Sequence, residues 1–244
     1  MAETGSTNAD LLAEVERGGG VDRTVLITDH QTAGRGRLDR RWDAPPGSNL
    51  LMSILFTDPP AVPAVLTQMV GIAAVEAVAS LLAERLTTSS RASSPDEAAG
   101  RDRVPGLKWP NDVLLGERKL AGVLAQRAST GAVVVGCGLN VGWAPEGAAS
   151  LHADLGVDVE PRRVADGMLR AIDAMADSDV SSRYRRHLTT IGRRVRVELP
   201  GDRLLVGTAV DVDAGGRLVV EEDAGDGGVR HVLDAGDVVH LRPA

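Results

Sequence analysis

Two apolar runs, Val25-Leu26-Ile27 and Asn49-Leu50-Leu51-Met52-Ser53-Ile54-Leu55-Phe56, bracket the stretch Asp29–Trp42, which reads DHQTAGRGRLDRRW. Short apolar runs rich in Val, Ile and Leu read as strands, so the stretch between them is a loop leaving a sheet. It gathers Arg35, Arg37, Arg40 and Arg41 around Gly34 and Gly36. Glycine lets backbone N–H groups approach a ligand closely, and a guanidinium presents a rigid fork to carboxylate or phosphate oxygens. Arg-Gly repeats also occur in disordered nucleic-acid tails, but those are not held between strands. The pattern therefore implies a sheet protein with an anion-binding loop.

The chain has 244 residues, enough for one large domain and a small one with a buried core. Aromatic residues make up only 2%, so Leu, Val, Ile and Ala must fill that core. A formal net charge of −7 opposes general affinity for DNA or RNA, whose phosphates ask for a basic surface. The single cysteine, Cys137, excludes an internal disulfide framework and fits a reducing cytoplasm. No apolar h-region of a signal peptide opens the sequence. The longest apolar stretch, 61–82, is interrupted by Gln68 and Glu76 and reads as a buried helix rather than a membrane span. A soluble cytoplasmic protein with no membrane contact is the expectation.

Ser6-Thr7-Asn8 precede Ala9, Leu11, Leu12 and Val15 and open a helix that Gly18-Gly19-Gly20 end. The polar triplet is either an N-cap or a set of groups lining a site at the helix N-terminus. A long helix spans 62–86, and residues 87–103, without apolar periodicity, read as a flexible insertion. Leu107-Lys108-Trp109-Pro110-Asn111-Asp112 follows as a strand end, a kink at Pro110 and a new strand, with further strands over 118–125 and 133–141. Gly136 and Gly138 clear one face of the last of these, for a flat ligand or for close packing. Helices start at Pro161 and near Val180. Past Gly192, five short β runs cut by turns read as a small β-barrel.

With STN at Ser6–Asn8, HQTAGRGR at His30–Arg37, Trp42, KWPND at Lys108–Asp112, KLAG at Lys119–Gly122 and GCGLN at Gly136–Asn140, all in this order, the chain resembles the biotin protein ligases. GRGR alone is a weak signal, whereas the ordered set is specific. The resemblance covers nearly everything outside 87–103. It implies an α+β fold, with a mixed β-sheet flanked by helices, related to the class II aminoacyl-tRNA synthetase core, in a catalytic domain over 1–190. A C-terminal SH3-like β-barrel over 191–244 completes it. ATP and biotin are the implied substrates, with Mg2+ on the ATP phosphates. The implied chemistry has two steps. Biotinyl-5′-adenylate and pyrophosphate form first, and a lysine of the biotin carboxyl carrier protein domain of acetyl-CoA carboxylase or another carboxylase then takes the biotinyl group. The family includes monomers and homodimers, and both stay open.

Carried over residue by residue, the resemblance places Ser6, Thr7 and Gln31 at the ureido end of biotin, with Asn8 also among the biotin-binding residues. Arg35, Gly36, Arg37, Gly122, Gly136 and Gly138 would line the rest of its pocket. Arg35, Arg37, Arg40, Asn111, Lys119 and Asn140 fall on the ATP side, with Trp42 stacked on adenine. Lys108 and Arg37 are the expected catalytic residues, Lys108 touching both the biotin carboxylate and the α-phosphate. A carboxylate attacking a phosphate brings like charges together, and preorganised cations offset that. Trp109 and Cys137 are expected in the core, and the ligands of any metal stay open.

Two other readings compete. A lipoate or octanoate ligase or transferase would use the same core, with Cys137 as a conceivable acyl carrier; the terminal barrel and the Gln31-plus-GRGR loop speak for biotin. A biotin-sensing repressor would need a helix-turn-helix, for which the five residues before STN leave no room. The expectation is a ligase-only chain with no nucleic-acid partner.

Overall fold

The computed structural model describes residues 1–38, 40–88, 104–175, 180–199, 203–223, 228–234 and 236–241, so most of the expected insertion at 87–103 lies outside the described residues. In chain order the strands are β1 (Glu3–Thr4), β2 (Val25–Thr28), β3 (His30–Gln31), β4 (Leu50–Phe56), β5 (Pro105–Lys108), β6 (Asp112–Leu115), β7 (Arg118–Arg127) and β8 (Val133–Leu139). They continue with β9 (Arg194–Leu199), β10 (Arg203–Val212), β11 (Leu218–Glu222), β12 (Arg230–Leu233) and β13 (Asp237–His240). The helices are α1 (Thr7–Glu16), α2 (Ala64–Thr88), α3 (Leu151–Leu155), α4 (Pro161–Ala174) and α5 (Val180–His187).

The larger sheet runs β2-β4-β8-β7-β6-β5 with every neighbour antiparallel. Between strands, among the described residues, parallel pairing joins β1 and β3, where Glu3 meets His30 and Thr4 meets Gln31, and one isolated parallel bridge links Leu107 to Leu188. Strand alternation divides the side chains between two faces. Leu50, Met52, Ile54 and Phe56 of β4, with Val133, Val135, Cys137 and Leu139 of β8, join the core formed with α2 and α4. On the other face Leu55 and Val134 pack with Leu11 and Val15 of α1. Helix α2 is apolar enough to span a membrane by composition, yet two thirds of that span is buried inside the fold. Sheet, α4 and α5 share its circumference, which explains an apolar surface wider than one stripe.

The smaller sheet is antiparallel in the order β12-β11-β10-β9-β13, with a register shift between Ala209 and Asp211. Val195, Val197, Ala209, Leu218, Val220 and Val238 are buried inside it. These five strands fall within two residues of the β runs read from the sequence. Trp109 joins the two sheets. Its backbone N–H donates to Thr190 Oγ1 at 3.0 Å and its indole N–H to the Gly216 carbonyl at 2.9 Å.

Thr190 Oγ1 also lies 3.1 Å from His240 Nε2, and His240 Nδ1 is 3.7 Å from Glu117. Burial first, then the nearby charges of Arg193 and Lys108, push the His240 pKa down to about 4. A lowered histidine pKa means the unfolded chain takes up a proton that the fold refuses. Stability is therefore intact above about pH 6.5 and is lost as pH falls toward 4. Urea midpoints at about pH 7 and pH 4.5 should show this loss, about 2–3 kcal/mol, in the wild type and a smaller one in His240→Gln. Parallel losses in the two proteins would assign the acid sensitivity elsewhere.

Candidate active site

Along β8 the α1-side face changes character from residue to residue. Val134 packs on Leu11 and Val15, Gly136 lies under Asn8, and Gly138 lies under Trp42. A Cβ on Gly136 would collide with Asn8 Oδ1, and one on Gly138 with the Trp42 indole, 2.6 Å from its Nε1. On neighbouring β7, a Cβ on Gly122 would stand 3.2 Å from Trp42 Cζ3. Both readings of these glycines hold together: the chain packs closely here, and what lies on the bare backbone is a flat ring, its own. Around this point, at the N-terminus of α1, a cavity of about 330 Å³ opens.

Ser6, Thr7 and Asn8 line it from α1, and Gln31 from β3. Ser6 holds the N-cap position with extended backbone (φ −162°, ψ 126°), but its side chain makes no capping bond. Its polar neighbours are committed to a tertiary network. Thr7 N–H donates to Gln31 Oε1 at 2.9 Å, Thr7 Oγ1 lies 2.6 Å from Ser53 Oγ, and Ser53 Oγ donates to Asn8 Oδ1 at 2.6 Å. Gln31 is carried by the short β1–β3 pair, which also ties Thr32 N–H to the Thr4 carbonyl and Ala33 N–H to that of Gly5.

The arginine loop folds back on itself, with Gly36 N–H on the Arg40 carbonyl and Trp42 N–H on that of Gly34. Arg35, Gly36, Arg37, Arg40 and Arg41 all reach the cavity. Arg40 pairs with Asp237 at 2.5 Å and Arg41 with Asp43 at 3.2 Å. Arg37 instead donates to neutral oxygens, Asn111 Oδ1 at 3.1 Å and the Gly236 carbonyl at 3.0 Å. From β7, Lys119 Nζ pairs with Asp112 at 2.6 Å and stands 5.6 Å from the centre of the Trp42 ring. Among these lining cations, Arg40, Arg41 and Lys119 have carboxylate partners. The charges of Arg35 and Arg37 are not cancelled within the cavity, which leaves it electropositive for an anionic guest.

Lys108 is the one expected site residue that does not reach the cavity. It sits at the end of β5, the outermost strand beyond β6, directly opposite the cavity-lining Asp112, and its charge also reaches His240. Lys119, on the strand beside the glycine-bearing β8, is the lysine that lines the cavity. Asn140 does line the cavity, but its side chain is consumed by structure. It donates to the carbonyls of Lys119 and Ala149 and accepts from Asn49, so it fixes the backbone that carries Lys119. Asn111 likewise braces Arg37 while donating to the Val123 carbonyl at 2.7 Å.

Sequence reading missed Asp112 and Asp237 as members of the site. Asp112 stood inside the quoted KWPND and could have been found by asking which anion holds Lys119. Asp237 lies far along the chain and carries no local signal. Among the described residues no group of three His, Cys, Asp or Glu side chains could hold a metal ion. The Cys137 thiol belongs to the helix-side core, and burial pushes its pKa up to about 12, so it offers no thiolate near neutral pH.

Residues 6–140 match the Biotin/lipoate A/B protein ligase family, and residues 190–241 match the Biotin protein ligase C terminal domain. A Biotin--[acetyl-CoA-carboxylase] ligase of Mycobacterium tuberculosis is 43% identical over 255 residues, which span 99% of this chain and 88% of that relative. The Bifunctional ligase/repressor BirA of Escherichia coli is 28% identical over 82% of this chain and 62% of its own length. In fold, the biotin protein ligase from Aquifex aeolicus solved in complex with biotin and ATP superposes with a TM-score of 0.72 at 23% identity, covering 100% of this chain and 97% of that one. From matches that take in both sheets and the whole cavity, this chain belongs to the biotin/lipoate A/B protein ligase family.

Proposed function

We infer that the chain is a biotin protein ligase, which joins biotin to ATP as biotinyl-5′-adenylate and passes the biotinyl group to a lysine of a carboxylase carrier domain. The observation that carries this reading is the single cavity, where a neutral polar pocket from Thr7, Asn8 and Gln31 adjoins a cluster of cations from Arg35, Arg37 and Lys119. The first can take a cyclic urea and the second a carboxylate meeting a phosphate. The 43% identical relative, named for this activity on acetyl-CoA carboxylase, supports the choice of carrier.

In the first step a biotin carboxylate oxygen attacks the α-phosphorus, and pyrophosphate leaves with the electron pair of the broken P–O bond. Lys119, held in place by Asp112 and by the Asn140-braced backbone, offsets the negative charge as the two anions converge. Arg35 and Arg37 do the same from the loop. In the second step the carrier amine bonds to the biotinyl carbonyl carbon, AMP departs with the C–O electrons, and the amine loses a proton to solvent. Mg2+, where present, would be held mainly by the ATP phosphates and would offset their charge. On this reading 1–190 is the catalytic domain, and 191–244 contributes Gly236 and Asp237 to the rim. The enzyme works in the cytoplasm, where ATP and the carrier meet.

The test is purified chain with ATP, biotin and a carrier domain, followed by mass spectrometry of the carrier. One biotinyl group on one lysine is expected, and no modification when lipoate or octanoate replaces biotin. Lipoylation at the biotin rate would overturn the substrate assignment.

A further inference from the structure

Ser53 is fully buried on β4, directly opposite Gly136, and lies outside the cavity lining. Its hydroxyl nevertheless sits in the middle of a chain of oxygens that ends in the cavity. Three oxygen–oxygen contacts run in series: Gln31 Oε1 to Thr7 Oγ1 at 3.0 Å, Thr7 Oγ1 to Ser53 Oγ at 2.6 Å, and Ser53 Oγ to Asn8 Oδ1 at 2.6 Å. Both ends are amide oxygens. Asn8 is fixed in that sense because its Nδ2 faces the Leu124 carbonyl and Gln126 Oε1. Gln31 is fixed because its Oε1 receives the Thr7 N–H.

A hydroxyl carries one proton, so two protons must serve three contacts. The two short contacts cannot stand as bare oxygen pairs, and among the described residues the buried Asn8 oxygen has no other donor. Gln31 Oε1, by contrast, already holds a backbone N–H. The protons therefore run from Thr7 to Ser53 and from Ser53 to Asn8. That leaves Thr7 Oγ1 as an acceptor toward the cavity, next to the Gln31 oxygen.

We propose that Ser53 is a positioning residue for ligand selection: by drawing the Thr7 hydroxyl proton inward, it makes Thr7 an acceptor and so selects a ligand with a ring N–H at that point. The proposal rests on the biotin reading, in which the ring N–H belongs to the ureido group. With the Ser53 hydroxyl removed, the Thr7 proton returns to Gln31, and the ligand N–H meets one acceptor fewer.

The experiment measures affinity by titration calorimetry for biotin and for its two cyclic carbamate analogues, each with one ring N–H replaced by oxygen. Wild type should prefer biotin over one of the two by about tenfold or more, the loss of one hydrogen bond at a site built for it. In Ser53→Ala that preference should fall to about threefold or less, with the maximal turnover rate at saturating biotin nearly unchanged. Ser53→Cys, which keeps the shape with a slightly larger atom and has a weak donor, should fall in between and serves if the alanine variant does not fold. In a Thr7→Val background the Ser53 substitution should change the preference no further, because it acts through Thr7. Wild-type selectivity retained in the Ser53 variants, or a further loss in the Thr7→Val background, overturns the proposal. A wild-type chain that binds no biotin would sink the functional reading itself, a separate and visible outcome.

Discussion

Enzyme carrying Lys119→Ala is expected to release pyrophosphate about 10²–10³ times more slowly than wild type, the usual loss for one preorganised donor at a developing charge. Lys108→Ala is expected to stay within a few-fold. The contrast comes from strand order. Lys119 is the second residue of β7, which is hydrogen-bonded to the strand whose glycines floor the cavity, and its ammonium stands beside Trp42 and Asp112. Lys108 ends β5, three strands from β8, opposite Asp112 but outside the cavity lining. Biotin binding should survive both substitutions, because the polar pocket belongs to α1 and β3. Continuous pyrophosphate assay of the two variants decides it, with melting temperatures to exclude unfolding. A dead Lys108→Ala beside an active Lys119→Ala would reverse the assignment.

The second large effect is expected at Arg37, and it concerns the fate of the intermediate. A mixed anhydride acylates any amine it meets, so the enzyme has to hold it away from stray lysines and water. Arg37 is built into this cover from both sides, through Asn111 ahead of β6 and through the Gly236 carbonyl ahead of β13. Each charge-assisted bond is worth about 1.5–3 kcal/mol, so cutting both with Arg37→Gly should loosen retention by at least about tenfold. Incubated with ATP, biotin and a protein that is no carrier, the variant should label that protein's lysines well above the wild-type level. The comparison is made at equal rates of adenylate synthesis. Labelling no higher than wild type would remove Arg37 from the cover.

Much of this site was legible because its residues cluster in short motifs. The arginine loop, Trp42, the STN triplet and the alternating Gly136 and Gly138 each announce their chemistry within a few positions. The place of Lys119 in the cavity lining beside Lys108 was not legible in full. Both stand in short motifs near the end of a strand, and only the order β8-β7-β6-β5 shows which one adjoins the glycine strand. The β1–β3 pair escaped for another reason: two residues are too few for a period of two to show. Ser53 looked like one more residue of an apolar strand, because its partners Thr7 and Asn8 are brought over it by a helix packing across the sheet. Asp237, contributed by the second sheet, could be placed only by the fold.

Trp42 adds a thermodynamic consequence. Its indole already covers the backbone at Gly138 and Gly122, so that surface is dry before any substrate arrives. A guest that settles on these strands exchanges one flat ring for another, and little new apolar surface leaves water there. The heat-capacity change on binding should then be smaller in magnitude than the guest's own apolar area suggests. What the guest gains is the difference between two stackings, less the work of turning the indole out. Affinity at this end of the cavity is thus set by how readily Trp42 finds a second resting place, for which the ring of the nucleotide is the natural candidate.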